Sequence, residues 1–125
     1  MPTANSILVV DDDASMLMGI ERLLRNHGFD VSSFRSGTAL LRVADFGNAF
    51  CVILDINLDG QSGIDVHHAL AARGVKLPVI FITGNDSDAN RSAALESGCV
   101  AYLIKPFSAV SLLEPIEAAH AAILH

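Results

Sequence analysis

Short runs of apolar residues alternate along this chain with longer segments that have a helical pattern of apolar positions. The apolar runs are rich in β-branched residues and favour strands that are buried on both faces. The predicted strands 1 to 5 are Ile7–Val10, Val31–Phe34, Val52–Leu54, Val79–Ile82 and Tyr102–Ile104. The predicted helices are Ala14–Asn26, Thr38–Ala44, Gly63–Arg73, Asp88–Ser97 and Ala109–Leu124.

Residues typical of helix ends stand at the borders of these segments. Three glycines follow helical patterns at the left-handed position that ends many helices, and four serines are placed to be N-caps. They are Gly28, Gly74 and Gly98, and Ser36, Ser62, Ser87 and Ser108. Regular alternation of strand and helix predicts an α/β fold, a doubly wound five-stranded parallel sheet of order 2-1-3-4-5. The polar Ser32 and Ser33 place strand 2 at an edge, and the more apolar strands 1, 3, 4 and 5 are predicted to be central.

Three aspartates, Asp11, Asp12 and Asp13, follow the first strand directly. Clustered carboxylates repel one another unless a cation or a proton intervenes. Open α/β sheets bind their ligands outside the carboxyl ends of the strands, so this position favours a site for a hard divalent cation. Taken alone, the run would more often be a solvated acidic loop.

Further polar groups follow the other central strands. Asp55 follows strand 3, Thr83 follows strand 4, and Lys105 and Pro106 follow strand 5. In a parallel sheet these groups converge on one edge with Asp11 and Asp12. These groups form a coherent set for phosphoryl transfer. Carboxylates can hold Mg²⁺, one carboxylate can be the nucleophile, and the hydroxyl and the ammonium can contact the phosphoryl group.

With these motifs the chain resembles a receiver domain of a two-component response regulator over essentially all 125 residues. The motifs are Leu8–Asp13, Val52–Gly63, Pro78–Gly84 and Ala101–Phe107. The later motifs resemble the receivers of nitrogen-fixation-type transcriptional regulators. The resemblance implies a flavodoxin-like (βα)5 fold, with residues 1–125 as a single receiver domain and no output domain.

The resemblance also implies site residues. Asp55 matches the phosphoacceptor, which takes a phosphoryl group from a sensor histidine kinase or a phosphotransfer protein in a Mg²⁺-dependent reaction. Asp11, Asp12, Asp55 and the backbone carbonyl of Asn57 match the metal ligands, with Mn²⁺ as a substitute ion. The protein is then a phosphorylation-dependent switch that catalyses at most its own phosphorylation and dephosphorylation.

Other matched positions concern the response to phosphorylation. Thr83 and Lys105 match residues that contact the phosphoryl oxygens, and Lys105–Pro106 matches a cis peptide bond, for which an X-Pro bond is suited. Tyr102 matches an aromatic switch residue that turns inward when Thr83 moves. The surface of helix 4, strand 5 and helix 5 is then expected to change and to contact a partner, an output domain or a second copy of the chain.

Two positions depart from the family pattern. Asp59 stands four residues after the acceptor, where receivers usually carry proline, and we expect slower phosphorylation or an altered metal affinity from it. Pro115 lies inside the last helical pattern, where it should kink or break the helix. The alternative is a late helix start near Leu112, which would place Pro115 in the tolerant first turns.

Composition excludes several other functions. The net charge is −6 and the chain has only eight Lys and Arg residues, dispersed along the chain, which argues against direct binding of nucleic acid. No apolar run approaches the roughly 18 to 20 residues that span a membrane. The first residues lack the features of a signal peptide, so a cytoplasmic location is expected.

An enzyme remains the alternative. Asp11, Asp13 and Ser15 resemble the first motif of haloacid-dehalogenase-type phosphohydrolases, a Mg²⁺-dependent class in which Asp11 would be the nucleophile. Thr83 and Lys105 could supply the next two motifs. That class does not need Asp55, however, and it expects a further pair of acids near the end of the chain.

Overall fold

A computed structural model describes residues 4–43 and 45–124 of the chain. Its main sheet contains β1 (Ser6–Val10), β2 (Asp30–Phe34), β3 (Ala49–Asp55), β4 (Val79–Thr83) and β5 (Ala101–Ile104). The strand order is β2-β1-β3-β4-β5, and each neighbouring pair is parallel. The predicted doubly wound topology is therefore confirmed.

Helices cover both faces of this sheet. They are α1 (Ala14–Asn26), α2 (Gly37–Leu41), α3 (Gly63–Ala72), α4 (Asp88–Glu96) and α5 (Ala109–Ile123). Side chains of α1 and α5 pack with one face of the sheet, and those of α2, α3 and α4 pack with the other. Because both faces are covered, every residue of β1, β3 and β4 is buried, which explains their nearly continuous apolar sequences.

The predicted helix ends agree with the structure. The four serines are the N-caps of α2, α3, α4 and α5, and each side chain accepts a hydrogen bond from a backbone N–H of the first turn. The three glycines that end helices have φ values of +81° to +88°. Local chemistry therefore sets most helix boundaries.

Two predictions about the elements were wrong. β5 was expected to be a central strand from its apolar residues, but it lies at the edge that the predicted strand order gives it, beside β4 alone, and its residues are only half-buried or exposed. Its apolar side chains pack partly against the core on each face of the sheet, so they do not require a second neighbouring strand. The helix predicted over Thr38–Ala44 ends at Leu41, where the Arg73 guanidinium donates to the carbonyls of Leu41 (2.5 Å) and Val43 (3.1 Å). Ala44 lies outside the described residues.

Pro115 lies inside a continuous α5 that begins at Ala109. The late start near Leu112 was therefore wrong, and the helix does not break at the proline. The flanking Leu112, Leu113 and Ile116 are buried, so packing against the sheet holds the helix together across the missing N–H. Among residues 4–43 and 45–124, none of the helices is long and apolar enough to cross a membrane.

Candidate functional site

Two buried carboxylates and one ammonium group meet at the carboxyl edge of the sheet. β1 and β3 are neighbours with Val10 opposite Leu54, so Asp11 and Asp55 leave the sheet side by side. Asp11 is fully buried and Asp55 is 3% exposed. Lys105 Nζ donates to Asp11 Oδ2 at 2.8 Å and to Asp55 Oδ2 at 2.9 Å. The lysine therefore bridges two acids that lie 44 positions apart in the sequence.

Burial and charge oppose each other at these groups. Burial raises the pKa of Asp55 above its ordinary value of 3.8, the hydrogen bond from Lys105 opposes that rise, and the charge of Asp11 adds to it. Burial by itself would lower the pKa of Lys105, but the hydrogen bonds to Asp11 and Asp55 raise it above 10.5. The lysine is thus held in its charged form between the acids.

Backbone N–H groups orient the carboxylates. Asp13 N donates to Asp11 Oδ1, and Asn57 N donates to Asp55 Oδ1, both at 2.9 Å. Asp13 itself is the N-cap of α1 and accepts from Ser15 N and Met16 N. The Asp13 carboxylate is therefore used at the start of α1.

The acidic cluster is suited to a hard divalent cation. Asp11, Asp12 and Asp55 each have a carboxylate oxygen within 4.8 Å of the others, and Asp12 is half-buried where the other two are buried. Mg²⁺ takes oxygen ligands and binds through a few carboxylates with retained waters. A partly open group of hard oxygen donors at this edge fits such an ion. The additional ligand, the Asn57 carbonyl, stays a prediction.

Thr83 is coupled to the acceptor loop through Asn57. Its hydroxyl donates to Asn57 Oδ1 at 2.6 Å and accepts from Asn85 N at 3.0 Å. Thr83 is fully buried, and Lys105 N donates to its carbonyl at 2.8 Å. The hydroxyl group is therefore engaged beside Asp55.

The Lys105–Pro106 peptide bond is cis, as predicted. Lys105 reaches the acids from the end of β5. A Cβ atom at Gly84 would lie 3.9 Å from Lys105 Cδ, which is ordinary contact. Residue 84 therefore borders the lysine stem.

Tyr102 takes part in a polar network at the surface. Its hydroxyl donates to Asp86 Oδ1 at 2.9 Å, and Arg91 Nη2 forms a 2.8 Å ion pair with Asp86 Oδ2. The Arg91 guanidinium also lies 5.6 Å from the centroid of the Tyr102 ring. Burial and, to a smaller extent, the hydrogen bond to Asp86 raise the pKa of Tyr102 above 10.0. Tyr102 is therefore held by Asp86 of the β4–α4 loop and Arg91 of α4.

Comparison with known proteins decides the family. The model of the response regulator receiver domain matches residues 7–117. The chain belongs to the response regulator receiver family. This family consists of signalling proteins of two-component systems, and phosphorylation and Mg²⁺ dependence are general features of it.

Individual relatives of this receiver agree with the family assignment. It is 37% identical over 116 residues to transcriptional regulatory protein PrrA of Mycobacterium bovis, covering 93% of this chain and 50% of that protein. It is 35% identical over 113 residues to nodulation protein W of Bradyrhizobium diazoefficiens, covering 90% of this chain and 50% of that protein. The receiver thus spans about half the length of the curated relatives it matches.

Solved structures confirm the receiver fold. A CheY-like receiver domain protein from Methanospirillum hungatei superposes with a TM-score of 0.86 at 26% identity and covers 98% of both chains. The response regulator StyR gives a TM-score of 0.86 at 32% identity, with 95% of this chain and 60% of that one covered. The matched family and relatives lend no support to the phosphohydrolase alternative. The narrower resemblance to nitrogen-fixation-type regulators stays a prediction.

Sequence reasoning missed three contributors to the receiver's site. Asp86 and Arg91 hold Tyr102, but neither the five-residue spacing between them nor their distance from Tyr102 in the sequence signals this contact. The third is the backbone N–H of Asp59, which donates to Asp12 Oδ2 at 2.9 Å. The dipeptide Asp59-Gly60 is a hairpin signal that could have predicted the turn, though not its partner.

Proposed function

We propose that this receiver accepts a phosphoryl group on Asp55 and so works as a phosphorylation-dependent switch. The observation that carries the proposal is the convergence of Asp11, Asp12 and Asp55 with Lys105 at the carboxyl edge of the sheet. Asp55 is the acid of this group that β3 carries, and it accepts a hydrogen bond from Lys105 Nζ on one oxygen and from Asn57 N on the other.

Asp11, Asp12 and Asp55 would hold Mg²⁺, or Mn²⁺ in its place, with the Asn57 carbonyl as a further ligand. A bound divalent cation would offset negative charge on the transferring phosphoryl group. The partial exposure of Asp12 supports entry of the ion from solvent.

The residues of the chain would divide the remaining work. A carboxylate oxygen of Asp55 forms the new bond to phosphorus, while the bond from phosphorus to the donor breaks and the donor keeps that electron pair. The Lys105 ammonium, already bonded to Asp55, neutralises charge on a phosphoryl oxygen. Thr83 gives up its hydrogen bond to Asn57 and donates to the phosphoryl group instead.

Movement of Thr83 would connect the site with the distant surface. Space vacated by Thr83 admits Tyr102, which must leave Asp86 and Arg91. The face made of α4, β5 and α5 exposes Leu95, Ile104 and Val110, which supports its use as a contact surface. Phosphorylation then biases an existing equilibrium between two conformations.

Receivers of response regulators act with histidine kinases or phosphotransfer proteins, and we propose such a donor for this chain. A homodimer through the α4, β5 and α5 face is a second proposed use of that surface. Direct binding of nucleic acid by this domain is not proposed, because the net charge is −6. We also propose the cytoplasmic location that the sequence leads us to expect.

Acetyl phosphate with Mg²⁺ tests the acceptor. The acyl phosphate formed should be trapped by borohydride reduction and located by peptide mass spectrometry. We expect the modification on Asp55, its loss in Asp55→Asn, and its retention in Asp65→Asn, an exposed acid on α3 that serves as the matched control. Modification on Asp11 would instead support a phosphohydrolase, and modification that persists in Asp55→Asn would refute the proposed acceptor.

A further inference from the structure

A two-residue loop lies next to the acidic cluster. Asn57–Leu58 and Gln61–Ser62 form a short antiparallel hairpin, in which Leu58 pairs with Gln61 and Asp59-Gly60 makes the turn. Gly60 has a φ of +71°, and positive φ values in the described residues occur at glycines alone. A non-positive φ at the first turn residue followed by a positive φ at the second is the pattern of a type II turn. The buried Leu58 anchors the hairpin to the core.

The turn contacts the metal-binding acid that the first strand presents. The backbone N–H of Asp59 donates to Asp12 Oδ2 at 2.9 Å across 47 positions of sequence. Hairpin pairing uses the residues on either side of the loop, so this N–H is free to donate outside the hairpin. The end of β1 is thereby tied to the loop that follows Asp55.

Each of the three carboxylates accepts a hydrogen bond from a backbone N–H, but the donors differ in origin. Asp11 and Asp55 each accept from the backbone N–H of the residue two positions further on, and both also accept from Lys105. Asp12 accepts instead from the N–H of Asp59. The first two donors come from within the same loop, whereas the third depends on the identity of a distant residue.

We propose that the backbone N–H of Asp59 positions the Asp12 carboxylate for the divalent cation, which makes residue 59 a positioning residue of this site. The inference rests on the proposed function. The contact between Asp59 N and Asp12 is possible because residue 59 is not the proline of the family pattern. A proline at position 59 has no N–H and cannot make this bond. In this receiver the departure therefore supplies a hydrogen-bond donor, in addition to an acidic side chain.

Variants of residue 59 separate the donor from the charge. Asp59→Pro removes both, and proline suits the first position of a type II turn, so the hairpin should be retained. Asp59→Ala and Asp59→Asn remove the charge and keep the N–H. The Asp59 side chain is exposed, so its charge is screened by solvent and salt.

Calorimetric titration with MgCl₂ measures the effect on the ion directly. Loss of a hydrogen bond to a metal ligand typically lowers metal affinity about 10- to 100-fold, and we expect the lower end, about tenfold, for Asp59→Pro at this partly exposed acid. Asp59→Ala and Asp59→Asn should stay within about twofold of wild type, because an exposed charge contributes little. Phosphorylation of Asp59→Pro by acetyl phosphate should be slow at low Mg²⁺ and recover at saturating Mg²⁺, which is the reverse of the slower phosphorylation expected of Asp59 from its sequence position.

Each outcome decides between the alternatives. Equal Mg²⁺ affinity of Asp59→Pro and wild type would overturn the proposal, and so would Asp59→Ala that binds as weakly as Asp59→Pro, because the charge would then carry the effect. Absence of Mg²⁺ binding by the wild-type protein would instead refute the metal site of the proposed function. Thermal unfolding without Mg²⁺ shows whether Asp59→Pro is folded.

A second measurement does not depend on the proline variant. In NMR spectra the amide proton of Asp59 should exchange with solvent about fivefold faster in Asp12→Ala than in wild type, the factor expected for one hydrogen bond. The amide protons of Asp13 and Asn57 provide internal comparisons at the neighbouring acids. Equal exchange of the Asp59 amide in both proteins would overturn the positioning role.

Discussion

The Thr83 hydroxyl donates to the side-chain oxygen of Asn57 at 2.6 Å, while the backbone N–H of Asn57 donates to Asp55 at 2.9 Å. Asn57 thus links the proposed acceptor with the proposed switch residue. On the proposed function, a phosphoryl group on Asp55 would have to compete with Asn57 for the Thr83 hydroxyl. The side chain of Asn57 therefore favours the conformation in which the Thr83 hydroxyl is bonded to Asn57 and not to a phosphoryl group.

Asn57→Ala should ease the movement of Thr83. The substitution removes the side-chain oxygen that accepts the Thr83 hydrogen bond, which contributes about 1 kcal/mol. Beryllofluoride should therefore bind about fivefold more tightly. Titration followed by NMR measures this affinity. Thr83→Ala is the control and should bind beryllofluoride more weakly than wild type. Weaker binding by Asn57→Ala would contradict a competing role for Asn57.

The raised pKa of Asp55 predicts how Mg²⁺ stabilisation depends on pH. Because burial raises this pKa above 3.8, the folded protein binds more protons than the unfolded chain between pH 3.8 and the folded pKa. The contribution of Asp55 to stability is then full below pH 3.8 and is lost as the pH rises through the folded pKa. Mg²⁺ requires the ionised carboxylate, so the rise in Tm on adding Mg²⁺ should be largest at neutral pH and shrink toward pH 3.8.

Thermal unfolding with and without MgCl₂ over this pH range checks the prediction. At a Mg²⁺ concentration 100 times its Kd, the stabilisation at neutral pH should be about 2.7 kcal/mol. Asp55→Asn should be more stable than wild type at neutral pH without Mg²⁺ if the desolvated charge outweighs its bond to Lys105, as the raised pKa implies. A Mg²⁺ effect that stays constant down to pH 3.8 would rule this linkage out.

Gly63→Ala should distort the acceptor strand. A Cβ atom at residue 63 would lie 2.2 Å from the backbone oxygen of Asp55, so the backbone must shift. We expect a loss of about 1–3 kcal/mol in the free energy of unfolding, measured by urea denaturation, together with slower phosphorylation. Gly19→Ala is the matched control, because an exposed glycine within α1 with nothing within 4 Å should gain about 0.5–1 kcal/mol on substitution. Similar changes in both variants would argue against a steric cause.

Asp86→Ala should lower the pKa of Tyr102. The hydrogen bond to Asp86 contributes to the raised pKa, so its loss should move the value toward 10.0, while burial keeps it from falling further. The chain has one Tyr and no Trp, so tyrosinate absorbance reports this group alone. Asp88→Ala, which replaces an exposed acid at the start of α4, is the control and should leave the titration unchanged. An unshifted Tyr102 in Asp86→Ala would mean that the network does not form in solution.

Prediction from the sequence succeeded where the determinants are local. The serine N-caps and the glycines after α1, α3 and α4 were predicted because each acts on its own turn of backbone. Buried strands were predicted because covering both faces requires continuous apolar residues. Asp55 and Lys105 were predicted to meet because parallel strands bring their carboxyl ends to one edge.

Prediction failed where a distant group decides. The end of α2 depends on Arg73, which lies 32 positions after Leu41 and occupies its carbonyl. The apolar composition of β5 predicted a central strand, although the predicted strand order already placed it at an edge, and this composition reflects cover from the helices. The continuity of α5 through Pro115 depends on packing with the sheet, which offsets the missing backbone bond.

The sequence by itself determined the alternating elements, their caps, the topology and the membership of the acidic cluster, because short-range backbone chemistry and the burial pattern specify these. Tertiary structure alone decided how the groups are paired. Lys105 donates to both Asp11 and Asp55, the Thr83 hydroxyl donates to Asn57, and the N–H of Asp59 donates to Asp12. Such bonds form within about 3 Å and depend on the relative placement of whole loops, which the residue pattern does not contain.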